Sequence, residues 1–111
     1  MSQIENLISS FIRMANAFNV EGALALFASD SVIDDVSVGD AFTGRDGVRR
    51  YLERFFVGYS TRTELLSIKE DDSSSALVRV DFTGDFGHEV GVLRIAVRSD
   101  GLIERIDADL E

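Results

Sequence analysis

Hydrophobic positions near the amino terminus recur at the three- and four-residue intervals of one helical face. They are Ile4, Leu7, Ile8, Phe11, Met14, Ala15 and Phe18. Ser2 and Glu5 have the spacing of a capping box, in which each side chain bonds a backbone N–H of the other residue. The pattern predicts a first helix from about residue 3 to about residue 18. Asn19 can cap a shorter second helix over residues 20–28, VEGALALFA.

The middle of the chain combines one strand pattern with one helix pattern. Residues 31–38, SVIDDVSV, alternate β-branched and polar positions and predict a strand. Residues 43–46, TGRD, repeat the capping-box logic and open a third predicted helix over residues 45–59. The apolar side of that helix consists of Val48, Tyr51, Leu52, Phe55 and Phe56.

From residue 61 onward the hydrophobic period changes to two, which is typical of strands. Residues 61–70, 75–86, 89–99 and 102–111 each alternate, and short turn-rich segments such as SDG separate them. Four consecutive strands with short connections predict an antiparallel meander. Because the helices come first and the strands later, the predicted class is α+β, with the helices packed on one face of a curved sheet. The length of 111 residues fits a single domain spanning 1–111.

The alternation also assigns residues to the two faces of this sheet. The apolar face contains Val78, Val80, Phe82, Leu93, Ile95, Val97, Ile106, Ala108 and Leu110. The opposite face contains Arg79, Asp81, Thr83, Arg94, Arg98, Arg105, Asp107 and Asp109. These arginines and acids can pair across neighbouring strands or across a dimer interface.

The composition excludes several classes of partner and site, but it does not identify the function. Eleven basic residues against twenty acidic ones give a net charge of −9, which argues against nucleic acid or an anionic membrane as a partner. Cys is absent and His88 is the one histidine, so we expect no disulfide, no metal site and no cofactor. The chain shows no signal peptide and no long apolar segment, so a cytoplasmic protein is expected. Eight Phe residues indicate either an aromatic core or an apolar cavity.

The order of the predicted elements resembles the nuclear transport factor 2-like superfamily, and within it the SnoaL-like and ketosteroid-isomerase-like branch. The segments that carry the resemblance are ALALFASDSVIDD (23–35), FTGRDGVRRYLERFF (42–56) and DGLIERIDA (100–108). The resemblance covers essentially the whole chain. It implies a cone-shaped, cystatin-like fold in which three N-terminal helices pack on a curved, mostly antiparallel sheet. It also implies an apolar pocket between helices and sheet, and a homodimer formed through the outer sheet face.

The resemblance also implies a role for one of two adjacent acids. In ketosteroid isomerase the general base is an aspartate on the strand after the second helix, and Asp35 matches it when counted from residues 26–28. Asp34 has the opposite strand parity and is expected to point away from the pocket. Lost hydration disfavours the charged form of a carboxylate beside an apolar cavity, which suits proton transfer near neutral pH. That enzyme also needs two oxyanion donors, and their positions match Phe11 and Leu93, which cannot donate.

Two hypotheses follow from the sequence. In the first, the protein is an acid–base enzyme of isomerase, cyclase or dehydratase type that acts on a small apolar, carbonyl- or polyketide-like molecule through Asp35. Its ligand-binding residues would be Phe11, Phe18, Phe55, Tyr59, Phe82, Leu93 and Ile106, and catalytic partners would come from His88, Tyr51, Tyr59, Glu89 and Arg13. Each of these partners has a plain structural alternative as a packing or exposed residue. In the second hypothesis, the protein is a non-catalytic, dimeric ligand-binding or scaffold module whose cavity is filled by its own Phe side chains.

Overall fold

The computed structural model describes residues 2–111 and has three helices and six strands. The helices are α1 (Gln3–Asn16), α2 (Val20–Leu24) and α3 (Gly44–Leu52), and a π-helical segment (Glu53–Val57) continues α3. The strands are β1 (Phe27–Asp35), β2 (Asp40–Thr43), β3 (Arg62–Asp72), β4 (Ser75–Gly84), β5 (Gly87–Val97) and β6 (Ile103–Leu110). The predicted α+β class with three helices is confirmed. Within residues 2–111, no helix is both long and apolar enough to cross a membrane.

The six strands form one sheet in the order β2-β1-β6-β5-β4-β3. Strands β3 to β6 pair antiparallel in sequence order, so the predicted meander is confirmed. Strand β1 then pairs parallel with β6, and the short edge strand β2 pairs antiparallel with β1. The sequence pattern predicted neither β2 nor the parallel pairing.

Helix α1 begins as predicted and ends two residues earlier. The Ser2 side chain accepts a hydrogen bond from the Glu5 backbone N–H, and the Glu5 carboxylate accepts one from the Ser2 N–H. The capping box is therefore confirmed. At the other end, Phe18 has a left-handed backbone conformation with φ of 57°, so a right-handed helix cannot continue through it. The side chain of Asn16 instead exchanges two hydrogen bonds with the backbone of Thr63 and ties the helix to β3.

The second helix is shorter than predicted. Asn19 caps it by accepting a hydrogen bond from the Gly22 N–H, as expected. The helix ends at Leu24, and Phe27 already belongs to β1. The Leu26 carbonyl accepts a hydrogen bond of 2.8 Å from the Ile103 N–H. Pairing with β6, a contact distant in sequence, therefore overrides the local helical pattern of residues 25–28.

The third helix starts without the predicted capping box. Thr43 precedes the helix with an extended backbone, but its side chain makes no capping hydrogen bond. Thr43 is also the last residue of β2, where it pairs with Val32. After Leu52 the helix widens into the π-helical segment, which the sequence did not predict.

The core lies between the helices and one face of the sheet. Its fully buried side chains include Ile8, Leu24, Ile33, Val48, Leu52, Val78, Val80, Ile95 and Ile103. On the opposite face, Arg79 pairs with Glu111 at 2.6 Å, Arg94 pairs with Asp71, and Arg105 pairs with Asp34 at 3.2 Å. Of the two predicted alternatives, pairing within one chain or across a dimer interface, the structure therefore shows pairing within one chain for these charges.

Candidate functional site

A cavity of about 330 Å³ opens between the π-helical segment, the end of β1 and the β4–β5 hairpin. Its volume lies at the lower end of the range for small-molecule sites. The lining residues are Asp35, Ser37, Val38, Tyr51, Phe55, Phe56, Tyr59, Thr61, Phe82, Phe86, Glu89 and Leu110. Several of the apolar ones, such as Tyr59 and Phe86, are about 40% exposed, so the rim presents apolar surface to solvent.

Asp35 is the buried acid of this cavity, with 6% of its surface exposed. It is the last residue of β1, and residues 36–39 then turn back into β2. Within this turn, Asp35 Oδ1 accepts hydrogen bonds from the Ser37 hydroxyl at 2.5 Å and the Ser37 N–H at 3.0 Å. Its neighbour Asp34 points to the outer face and contacts Arg105. Strand alternation thus separates the two acids as predicted.

Tyr51 supplies the third hydrogen bond to this carboxylate. Its hydroxyl donates to Asp35 Oδ2 at 2.5 Å, and both side chains are buried. Helix α3 positions the ring, which packs against Phe42 and Phe55 with centroid distances of 5.1 Å. Burial raises the pKa of Tyr51 far above its ordinary value, and the charge of Asp35 and the hydrogen bond to it act in the same direction. Tyr51 therefore remains a hydrogen-bond donor at any physiological pH.

Aromatic rings form most of the remaining wall. The π-helical segment contributes Phe55 and Phe56, and the strand β4 contributes Phe82, whose ring lies 6.0 Å from that of Phe56. Gly91 on β5 makes room for this arrangement, because a Cβ atom there would lie 2.7 Å from the Phe82 ring. At the rim, the rings of Tyr59 and Phe86 meet edge to face at 6.1 Å.

Glu89 is the second acid of the lining and lies on β5 opposite Phe82. Unlike Asp35 it is exposed, so its carboxylate belongs to the cavity mouth. The Asp85 N–H donates to the Tyr59 carbonyl at 2.9 Å and holds the β4–β5 hairpin beside the π-helical segment. Within residues 2–111, no three His, Asp or Glu side chains are placed to share a metal ion.

The structure brings together three of the seven predicted ligand-binding residues, and these are Phe55, Tyr59 and Phe82. The other four do not line the cavity, so the sequence-based assignment is corrected at these positions. Phe11, Leu93 and Ile106 are buried in the hydrophobic core, where Phe11 packs against Phe27 and Phe56. Phe18 lies on the surface with 41% exposure, because α1 ends before it.

The reason for the difference is position along the strand. Glu89, Gly91 and Leu93 share one face of β5, and their surroundings change from the cavity mouth to the packed core over this short distance. Leu93 pairs with Val78 and Ala108, which both belong to the core. Alternation predicts that a side chain points inward, but it does not predict how deep in the fold that side chain lies.

Among the predicted catalytic partners, Tyr51, Tyr59 and Glu89 line the cavity, whereas His88 and Arg13 do not. His88 is exposed and contacts Asp81 at 2.6 Å, and Arg13 is exposed on α1. Six lining residues were not assigned to the site from the sequence, and these are Ser37, Val38, Phe56, Thr61, Phe86 and Leu110. Ser37 had a usable signal, because an aspartate followed two residues later by serine is typical of an Asx turn.

Seven of the eight Phe residues serve one of the two predicted purposes, and the eighth, Phe18, lies on the surface. Phe11, Phe27 and Phe42 are core residues, whereas Phe55, Phe56, Phe82 and Phe86 line the cavity. Of the two alternatives for the interior, the structure has the open one, since a cavity beside Asp35 is not filled by these rings.

Comparison with known proteins agrees with this architecture. The family model of the SnoaL-like domain matches residues 8–106. A sequence search among curated proteins finds no match. Among solved structures, a Mycobacterium tuberculosis protein in complex with estradiol-17beta-hemisuccinate has a TM-score of 0.86 at 20% identity, over 97% of this chain and 93% of that one.

Two further structures are similar over most of this chain. The epoxide hydrolase/cyclase-like enzyme SalBIII, of pyran ring formation in the polyether salinomycin, has a TM-score of 0.85 at 18% identity, over 96% of this chain and 89% of its own. A candidate ketosteroid isomerase from Kribbella flavida has a TM-score of 0.86 at 24% identity, over 98% of this chain and 78% of its own. At these identities the likeness establishes the fold, and the predicted NTF2-like, cystatin-like architecture is confirmed. Because the family model spans nearly all of the core elements, the chain belongs to the SnoaL-like domain family.

Proposed function

We propose that this protein binds a small apolar molecule in the cavity and transfers a proton through Asp35, as an enzyme of isomerase, cyclase or dehydratase type. One observation carries the proposal. A buried carboxylate, hydrogen-bonded to a buried tyrosine, lies on the wall of an open cavity that is otherwise mostly aromatic. Such a carboxylate is an uncommon feature of an apolar wall, because burying a charged group is unfavourable unless partners compensate it.

The two residues take different roles in this proposal. The Asp35 carboxylate accepts a proton from an acidified C–H or O–H group of the ligand and returns it to another atom. Tyr51 keeps its proton and holds the carboxylate in place through Oδ2. Phe11 and Leu93 are buried in the core and offer no oxyanion donor, so the proposed chemistry differs from that of ketosteroid isomerase in this respect. The similar structures that are named for a cyclase and an isomerase support this class of chemistry.

Exchange of the α-hydrogens of a bicyclic ketone, tetralone, in deuterium oxide tests this role directly. Wild-type protein should accelerate the exchange, measured by NMR, and Asp35→Asn should reduce the acceleration by about 10²- to 10⁴-fold. Asp34→Asn is the matched control, since Asp34 faces the outer side of the sheet. Circular dichroism must show that both variants are folded. Unchanged exchange in a folded Asp35→Asn protein would remove Asp35 from the mechanism.

A second function, non-catalytic binding of the same class of molecule, has one observation in its favour. Both Asp35 oxygens already accept hydrogen bonds from Ser37 and Tyr51, so the carboxylate is satisfied without a ligand. A pure binding protein would raise its melting temperature with ligand concentration and would show no ketone exchange. Ketone exchange is therefore the measurement that separates the two functions.

We further propose that the chain forms a homodimer through the outer face of its sheet. The support is the family resemblance and the exposed, mixed-charge character of that face. Sedimentation velocity at micromolar concentration should give the mass of two chains. A monomer at every concentration would contradict the proposal.

A further inference from the structure

The charged residues of the cavity lining are all acidic. Asp35 lies inside and Glu89 lies at the mouth, and among the described residues that line the cavity none is Lys, Arg or His. The Arg54 guanidinium lies over the Phe55 ring, 5.1 Å from its centroid, but Arg54 is not part of the lining. The net charge of −9 adds a negative field around the site. A carboxylate or phosphate ligand would therefore enter without a positive partner.

The aromatic lining adds a second, independent preference. Six rings face the cavity, and they are those of Tyr51, Phe55, Phe56, Tyr59, Phe82 and Phe86. The face of an aromatic ring attracts a cation through its quadrupole, most strongly where water is excluded, and aromatic-lined sites recognise alkylammonium groups in this way. Two of these rings, Tyr59 from the segment after the π-helix and Phe86 from the β4–β5 hairpin, meet edge to face at the rim of the cavity, and Glu89 belongs to the same lining.

Asp35 uses most of its hydrogen-bonding capacity within the protein. Its carboxylate accepts three hydrogen bonds, from the Ser37 hydroxyl, the Ser37 N–H and the Tyr51 hydroxyl. The exposed acid at the mouth, Glu89, is therefore the one placed to contact the charged group of a ligand.

We infer that the natural ligand is an apolar amine that binds as its ammonium ion, with its hydrocarbon part among the aromatic rings and its charged group toward Glu89. This inference rests on the proposed function of the cavity as a small-molecule site, and it names the substrate class. A neutral ligand would only pack against the rings, whereas an ammonium ion would pack against the rings and also be attracted by the acids.

Calorimetric titration with three probes of one skeleton measures the preference. Phenylbutylamine, phenylbutanol and phenylbutanoate share their apolar part and carry a positive, zero or negative charge. The amine should bind about tenfold more tightly than the alcohol, and the carboxylate more weakly than the alcohol. Added salt should weaken amine binding and leave alcohol binding unchanged.

Variants locate the effect in the cavity. Glu89→Gln should weaken amine binding about threefold without changing alcohol binding. Phe86→Leu keeps an apolar side chain but removes a ring, and it should weaken amine binding more than alcohol binding. Both residues are exposed, so neither change threatens the fold. Glu104→Gln removes the same charge from an exposed position of β6 that is not part of the cavity lining, and it serves as the matched control, with no change expected.

The outcomes distinguish this inference from the function on which it rests. Alcohol binding as tight as amine binding overturns the amine preference and leaves the apolar site in place. Binding of none of the three probes overturns both the preference and the proposed function. An equal loss of amine affinity in Glu89→Gln and Glu104→Gln assigns the effect to net charge and also overturns the inference.

Discussion

The Tyr51 hydroxyl donates a hydrogen bond of 2.5 Å to Asp35 Oδ2 and so joins helix α3 to the end of strand β1 inside the cavity wall. The two residues are sixteen positions apart in sequence and come from different layers of the fold. Each satisfies a polar group of the other that burial would otherwise leave without a partner. The pair is therefore important for stability as well as for the proposed chemistry.

Replacing Tyr51 by Phe removes this hydrogen bond and keeps the ring. We expect the free energy of unfolding at neutral pH to fall by about 1 to 3 kcal/mol, because a buried carboxylate oxygen loses its donor. Urea denaturation measures the change. Tyr59→Phe is the matched control, since Tyr59 is 39% exposed, and should stay within about 0.5 kcal/mol of wild type. A stable Tyr51→Phe protein would mean that water replaces the hydroxyl.

The raised pKa of Tyr51 predicts a specific loss of stability in alkaline solution. Above about pH 10 a tyrosine of the unfolded chain loses its proton, whereas the folded Tyr51 keeps it. The folded state then binds more protons than the unfolded state. The free energy of unfolding therefore falls as pH rises, by up to about 1.4 kcal/mol per pH unit from this group.

This alkaline component should be absent from Tyr51→Phe. Urea denaturation between about pH 9 and about pH 11 should therefore give a shallower decline for that variant than for wild type. Tyr59→Phe should retain the steep decline. Parallel profiles for wild type and Tyr51→Phe would show that Tyr51 titrates alike in both states.

Asn16 should be important for attaching α1 to the sheet. Its side-chain amide donates to the Thr63 carbonyl at 2.9 Å, and its carbonyl accepts from the Thr63 N–H at 2.6 Å. Asn16→Ala leaves both backbone groups of a buried residue without these partners, and we expect a loss of about 1 to 3 kcal/mol in the free energy of unfolding. Asn6→Ala on the exposed side of the same helix should be nearly neutral. Similar effects of the two changes would contradict the role of Asn16.

Gly47 marks the closest approach of α3 to β2. A Cβ atom at this position would lie 2.9 Å from the backbone carbonyl carbon of Phe42. Gly47→Ala should therefore destabilise the protein by about 1 to 3 kcal/mol despite the better helix propensity of alanine. In Gly22→Ala the new methyl meets only side-chain atoms of Asn19 and Met14, which can move, so a smaller loss is expected. Thermal denaturation compares the two variants, and a more stable Gly47→Ala would refute the close packing.

Local signals in the sequence predicted the elements whose stability is local. The capping box of Ser2 and Glu5 forms as the spacing indicates, and the period-two segments become the meander β3 to β6. Elements that depend on distant partners were missed or misplaced. Strand β2 has four residues and forms only by pairing with β1, and residues 25–28 leave the helical pattern because β6 is available to pair.

The candidate site divides in the same way. Alternation along β1 separates Asp35 from Asp34 without reference to any other element, and the family resemblance selected Asp35. The hydrogen-bond donors to Asp35 were harder to predict from the sequence, because the packing of α3 on β1 brings Tyr51 to it. The sequence does not predict how deep in the fold an inward side chain lies. For this reason Phe11, Leu93 and Ile106 were assigned to the cavity, although they are core residues.

The sequence by itself determined the class of fold, the opposite directions of Asp34 and Asp35 and the negative charge of the chain, since these depend on periodicity and composition. Only the tertiary structure decided that a cavity remains open, that Tyr51 closes on Asp35, and that six rings and two acids share one wall. The physical reason is that the size of a cavity depends on how much of the space enclosed by the backbone the side chains leave unfilled. That remaining space is set by contacts between elements distant in sequence.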